Sequence, residues 1–258
     1  MAQQSRNVLK NFFKNGNLLS QSEFSDLIDS TWNINDDGIG KTSQEGLQLA
    51  PGASSRKVIS IYEGGMGSAP NWQIAINASQ NKGLSIVQPG HEAQPALFVG
   101  DEGKVGIATA TPMTHLEVNG SMGSKHRVGT YKVGKVRADA EWHTLLSGLQ
   151  GNNAFEIVAE ARGNDGDGNY AMAHAIALNA FQGRRGKIKV INASFRWYDF
   201  RNRILLRWLG TPYDYTLQMR TGTHYFLNKD TKEYNHIRFH ICRLWDDQLH
   251  FETLVDHA

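Results

Sequence analysis

At 258 residues, with hydrophobic residues at 40% and charged residues at 20%, the chain holds enough apolar material for a packed domain and too much for wholesale disorder. A formal net charge of +2 at pH 7 is too balanced for a dedicated nucleic-acid binder, and no apolar run approaches the roughly 18–20 residues of a membrane helix. The single cysteine, Cys242, cannot close a disulfide within the chain.

Residues 1–45 carry 4 basic and 6 acidic side chains and read as the helical part. Val8, Leu9, Phe12 and Phe13 recur at helical spacing, with Gly16 as a stop. Ser20 and Glu23 have capping-box spacing, after which Phe24, Leu27, Ile28 and Trp32 line one face. Helices this short are marginal in water. Their apolar residues must pack elsewhere: within the chain, on another copy or on a partner. Phe12, Phe13, Phe24, Leu27, Ile28 and Trp32 are the candidate attachment residues. Asn33 to Gly38 imitates the start of a calcium loop, but Gln44 stands where the closing carboxylate belongs, so an Asx-rich turn is expected.

Residues 46–125 read as short strands joined by tight turns. Five of the six prolines fall here, and Pro and Gly cut the segment into extended pieces. Gly46–Gly52 is echoed at Gly83–Gly90, and Val58–Tyr62 and Trp72–Ile76 alternate with strand period. The apolar content per strand is small, so several copies wound about a common axis enclose a core more readily than one. An oligomeric stalk is expected.

Within this segment, Asp101 to Pro112 (DEGKVGIATATP) followed by Leu116 to Gly120 (LEVNG) resembles a connector found in tail-fibre-like and adhesin-like proteins of phages and related contractile particles. Ala108 stands where that connector usually has glycine, and Ala110 where it usually has threonine. With the N-terminal stretch and the aromatic C-terminal part, the chain resembles a fibre or cage component attached to the baseplate of extracellular contractile injection systems. The resemblance implies a homotrimer and carries architecture rather than activity.

Residues 126–258 carry 18 basic and 14 acidic side chains and read as all-β. Alternation appears in Ile204–Trp208, Tyr215–Arg220 and His236–Ile241, where Ile237, Phe239 and Ile241 face one way. Turns are expected at 162–169, 182–186, 210–212 and 228–230. The alanines of 170–181 favour helix, but Tyr170, Met172, His174, Ile176 and Leu178 keep a two-residue period, and a strand is expected. Eight or so strands imply a β-sandwich.

Catalytic signatures are absent: no nucleophile elbow, no zinc-protease helix, no phosphate loop and no cysteine pair. No cofactor or metal is expected. The acids of Gly163–Asn169 read as a solvated turn or a loose calcium site. His236 and His240 share a strand face about 13 Å apart, too far to hold one zinc ion unaided. Cys242 reads as a small core residue rather than a catalytic thiol.

The densest chemical feature lies between 184 and 207, where eight basic residues outnumber Asp199 and alternate with aromatics. Arg196, Trp197, Tyr198, Arg201, Arg203 and Arg207 are the candidates for binding a target surface or an anionic glycan, by charge-assisted hydrogen bonds and stacking. The competing reading keeps the aromatics inside the sandwich and the cations solvated.

The expected fold is therefore mainly β: short N-terminal helices (1–45), a β-turn-rich trimeric stalk (46–125) and an antiparallel β-sandwich head (126–258). The expected function is structural and adhesive, without a reaction, in contact with a baseplate, neighbouring subunits or a cell-surface glycan. A carbohydrate-binding lectin is the main alternative. A polysaccharide-degrading tailspike is a lesser one, since Glu156 and Glu160 share a strand without an evident cleft. Lacking a secretory leader at its start, the chain is expected to assemble in the cytoplasm before release or display on a particle.

Overall fold

The computed structural model describes residues 4–14, 16–33, 36–52, 54–65, 67–78, 81–180, 186–195, 200–211 and 213–245. The fold is mainly β, built from antiparallel sheets with two short helices, as expected. The chain divides into two compact units, Met1–Gly123 and Ser124–Ala258.

The first unit begins with α1 (Arg6–Phe12) and α2 (Gln21–Asp29). α2 opens on the expected capping box: the Ser20 hydroxyl accepts from the Glu23 N–H at 3.3 Å, and the Glu23 carboxylate accepts from the Ser20 N–H at 2.8 Å. The helix stops at Asp29, short of Trp32. There the Ser30 hydroxyl donates to the Asp26 carbonyl at 2.6 Å and the Thr31 hydroxyl to the Ile28 carbonyl at 2.9 Å. Such local bonds compete with the helical ladder and end it. Neither helix buries a residue.

A hairpin of β1 (Ile39–Thr42) and β2 (Gly46–Leu49) follows. β3 (Lys57–Ile61), β4 (Trp72–Ile76), β5 (Gly83–Val87), β6 (Leu97–Gly100), β7 (Val105–Ile107) and β8 (Leu116–Val118) then form one sheet in chain order. Its pairings are antiparallel except β7 with β8, which is parallel. Directly opposed residues share a face. The register sets Ile61 against Trp72, Ile74 against Ile86, Leu84 against Val99 and Val105 against Leu116, so one face is apolar from end to end. That face is the uncovered one. The opposite face carries Gln73, Ala75, Ser85, Val87 and Phe98, all between 0% and 3% exposed. A Cβ at Gly83 would stand 2.8 Å from the Phe98 ring, so glycine there is a packing requirement.

The second unit holds two antiparallel sheets around one core. β9 (Lys132–Arg137), β10 (His143–Leu149), β11 (Asn153–Arg162), β12 (Tyr170–Asn179), β13 (Lys187–Ser194), β14 (Ile204–Thr211), β15 (Asp214–Thr221) and β16 (His236–Trp245) order as β13-β12-β11-β16-β9 and β10-β15-β14. The first sheet sends Phe155, Ile157, Ile237 and Ile241 inward, and the second Leu145, Ile204, Leu217 and Met219, each at most 1% exposed. The strand reading over helix holds for Tyr170–Asn179, Phe181 lying outside the described residues: Ala171, Ala173, Ala175 and Ala177 alternate inward at 0–5% exposure. Small residues there let the facing sheet approach closely.

Candidate functional site

Of the predicted binding residues, Arg196, Trp197 and Tyr198 lie outside the described residues. Arg201 is exposed on the short 3-10 turn Phe200–Asn202, and Arg203, half-buried, follows that turn. Arg207 sits on the outer side of β14, opposite Gln218 of β15. Its guanidinium donates through Nε and Nη2 to Gln218 Oε1 at 3.0 and 2.8 Å, and the Gln218 amide donates on to Thr144 Oγ1 at 3.2 Å. Arg207 and Arg220 lie 4.2 and 4.7 Å from the centroid of the Trp142 ring. Trp142 thus joins a cationic face that the sequence reading missed, because more than sixty residues separate it from Arg207. Trp208 instead packs toward the core, its ring 6.4 Å from those of Phe155 and Tyr215.

The attachment candidates remain largely bare. Phe12 and Leu27 are half-buried, whereas Phe13, Phe24, Ile28 and Trp32 are 51%, 51%, 62% and 82% exposed.

Charge gathers on the outer side of the five-stranded sheet. The Glu156 carboxylate contacts His174 Nε2 at 2.9 Å and the Arg127 guanidinium. Glu160, four residues along β11, lines a cleft of about 260 Å³ with Lys135, Arg162, Glu233, Tyr234 and Arg238 among its walls. Arg137 lies 4.8 Å above the Tyr234 ring. Burial holds the His236 imidazole, also in the cleft wall, below its ordinary value, helped by the charges of Lys135, Arg137 and Arg238. The cleft therefore offers carboxylates, guanidiniums, amides and one aromatic ring in a small volume. Such a set can hydrogen-bond a polyhydroxylated or ionised ligand. Only β11 and β16 of its walls showed as strands in the sequence. Glu233 and Tyr234 come from the loop before β16, and nothing local marks them.

The acids of the 163–169 loop meet partners of the chain itself. Asp165 accepts from Arg162 at 2.9 Å and from the Tyr170 hydroxyl at 3.2 Å, and Asp167 pairs with Lys229 at 3.1 Å. Hydrogen bonds from Arg162 and Tyr170, and from Asn164 and Lys229, keep both carboxyls below the usual carboxylate range. Among the described residues no group of three or more His, Cys, Asp or Glu is placed to hold a metal ion. No helix among them is long and apolar enough to cross a membrane.

No protein-family model matches the chain, and no curated protein matches it. Solved structures resemble it in part, among them the following two. Pantoea stewartii WceF is described as a glycan biofilm modifying enzyme with a bacteriophage tailspike-like parallel β-helix fold. It shares 11% identity over 50% of this chain and 19% of its own, with a TM-score of 0.30. The tailspike protein of the Acinetobacter phage vB_ApiP_P1 shares 11% identity over 53% of this chain and 25% of its own, with a TM-score of 0.24. The match thus spans a quarter or less of either protein's length. At the coarse level, the structural neighbours are phage tailspike and tailspike-like proteins. The expectation that the chain carries no reaction is corrected here, because one neighbour is described as a glycan-modifying enzyme. The physical weakness of that expectation is visible in the cleft as well. Carboxylates of β11 and of the loop before β16 line it together without any contiguous motif.

Proposed function

We propose that the chain is a structural and adhesive component of a phage-tail-like particle, of the contractile injection kind that its DEGKVGI…LEVNG segment resembles. In this reading, copies of the chain, three in number, assemble through the central β region. The N-terminal helices attach them to the baseplate or a neighbouring subunit, and the C-terminal unit meets the target surface or sister units. Assembly takes place in the cytoplasm, before release on the particle.

The observation that carries the reading is the bareness of α1 and α2. Both helices are capped at their starts, yet neither buries a residue, and Phe24, Ile28 and Trp32 point outward. Exposed aromatic groups at this density belong to a docking segment. The test is incorporation of the full chain into particles purified from producing cells. A variant with Phe24→Gln, Ile28→Gln and Trp32→Gln is expected to keep its far-UV circular dichroism and to vanish from the particles. Normal incorporation of that variant would overturn the attachment role.

A second reading, glycan recognition by the C-terminal unit, is favoured by the cleft around Glu160, Glu233 and Tyr234, with guanidinium and amide donors beside an aromatic ring. A glycan array probed with assembled wild-type protein and with Tyr234→Ala distinguishes it: the reading expects hits that the variant loses.

A further inference from the structure

The six-stranded sheet of the first unit is covered on the wrong side. Sheets normally bury the face with the larger β-branched and aromatic residues and leave the polar face wet. Here the face with Gln73 and Ser85 is shut from solvent, while Ile61, Trp72, Leu84, Val99, Ile107 and Leu116 remain 49%, 36%, 44%, 36%, 40% and 58% exposed. Cross-strand pairing places these residues on one surface running from β3 to β8. From Ile59 to Val118 the strand residues of that surface carry no charged side chain and no side-chain hydroxyl or carboxamide, and Lys57 stands exposed at the start of β3.

We infer that this apolar sheet face is the surface through which copies of this chain associate, each copy turning it toward a shared axis. The inference deepens the assembly part of the reading above and rests on it for taking the partner to be a sister chain. Three observations select that occupant. The first is area. At these exposures the six side chains leave on the order of 80 Å² each, roughly 500 Å² together, and the half-buried Ile74, Ile86 and Leu97 between them extend the patch toward the ~800 Å² per partner of a stable interface. A monomer seldom leaves more than a few hundred Å² of contiguous apolar surface bare.

The second is chemistry. A face that from Ile59 to Val118 lacks charge and side-chain hydrogen-bonding groups, apart from the Trp72 indole N–H, selects a partner equally dry, and an identical face supplies one with no ion to strip of water. The third is shape. Sheet faces pack through interdigitating side chains, and every copy brings a sheet of the same width to the axis. Ridges of Ile, Leu and Val on one copy thereby meet ridges of the same residues on the next.

The test is the mass of the full chain in solution by light scattering, across micromolar to tens of micromolar protein. The wild type is expected at an integer multiple of 28.8 kDa above one. The double variant Leu84→Lys with Val99→Lys is expected at the monomer mass with unchanged circular dichroism. Met172→Lys, on the outer side of β12, serves as the control and is expected to keep the wild-type mass. Should the double lysine variant fail to fold, Leu84→Ala with Leu116→Ala supplies a milder step. It is expected to raise the dissociation constant at least tenfold, read by sedimentation on dilution. A wild type that stays monomeric and folded at every concentration overturns the inference, whether the chain itself or a foreign partner covers the face. So does a double lysine variant of wild-type mass. Particle incorporation reads the helices instead, so the two results fail separately.

Discussion

At the scale of single residues, Ala108 is one of five residues other than glycine, among those described, that hold a positive φ. Its φ of +57° lies in the left-handed region, which disfavours any residue with a Cβ by about 1–2 kcal/mol. The connector that the segment resembles usually has glycine there, and the backbone shows why. Ala108→Gly is expected to stabilise the first unit by about 0.5–1 kcal/mol, the gain being trimmed by the entropy glycine adds to the unfolded chain. Thermal denaturation should read this as a midpoint a few degrees higher.

Two titrating groups set a second expectation. Burial opposes the charge of Asp139, but the His143 ring nitrogen at 2.7 Å and the Glu141 N–H at 3.1 Å outweigh it. The net effect holds its carboxyl below the ordinary 3.8. A depressed carboxyl contributes stability above its unfolded value and loses it progressively as pH falls from that value through the lower folded one. His236 is held below its ordinary 6.5, so acid protonates the unfolded chain first and draws stability away below that pH. Unfolding midpoints are therefore expected to be level from pH 7 to 8, to decline from near pH 6.5 and to decline again near pH 4. His236→Gln should remove the first decline. An unchanged profile in that variant would place the titration elsewhere.

At the scale of elements, a buried polar chain pins the 3-10 turn to the rest of the C-terminal unit. The Tyr225 hydroxyl donates to the Asn202 carbonyl at 2.9 Å, the Asn202 amide to the Gly168 carbonyl at 3.0 Å, and the Asn235 amide to the Tyr225 carbonyl at 2.8 Å. Tyr225 is fully buried. Tyr225→Phe keeps the ring and strands the carbonyl of Asn202, so a loss of about 1–2 kcal/mol is expected in urea unfolding. Sequence periodicity read the Ile237, Phe239 and Ile241 row of β16 outright, whereas in β12 the period of Tyr170 to Leu178 gave the strand but marks its outer face, and the alanines that favoured helix fill the inner one. The capping box of α2 was equally legible, because both partners lie within four residues. Other features depend on distant partners and left no local trace. Nothing near Trp142 announces Arg207 and Arg220, nothing near Glu160 announces Tyr234, and the parallel pairing of β7 with β8 is invisible to a strand period. Alternation in β3 and β4 revealed two faces but not which of them the chain would cover.

At the scale of the whole molecule, two bodies are joined by a stretch that is exposed from residue 121 to 128 and lacks regular structure. Such a stretch is where proteases cut first. Limited trypsin digestion is expected to cleave after Lys125 before any site within the strands, giving two fragments close to the division at Gly123. Initial cleavage inside β9 or β13, at Lys132, Lys135, Lys187 or Lys189, would contradict the division into two units.

The strand order of the five-stranded sheet has a bearing on how the protein is made. β16, the last strand described, lies between β11 and β9, so that sheet stays split until residue 245 has left the ribosome. The sheet of the first unit, by contrast, follows the chain strand by strand and needs only near neighbours, the situation in which folding is fast. During synthesis the oily surface of β3 to β8 is thus ready while the other body is still a collection of loose ribbons. Chains growing side by side on one message would meet through it first.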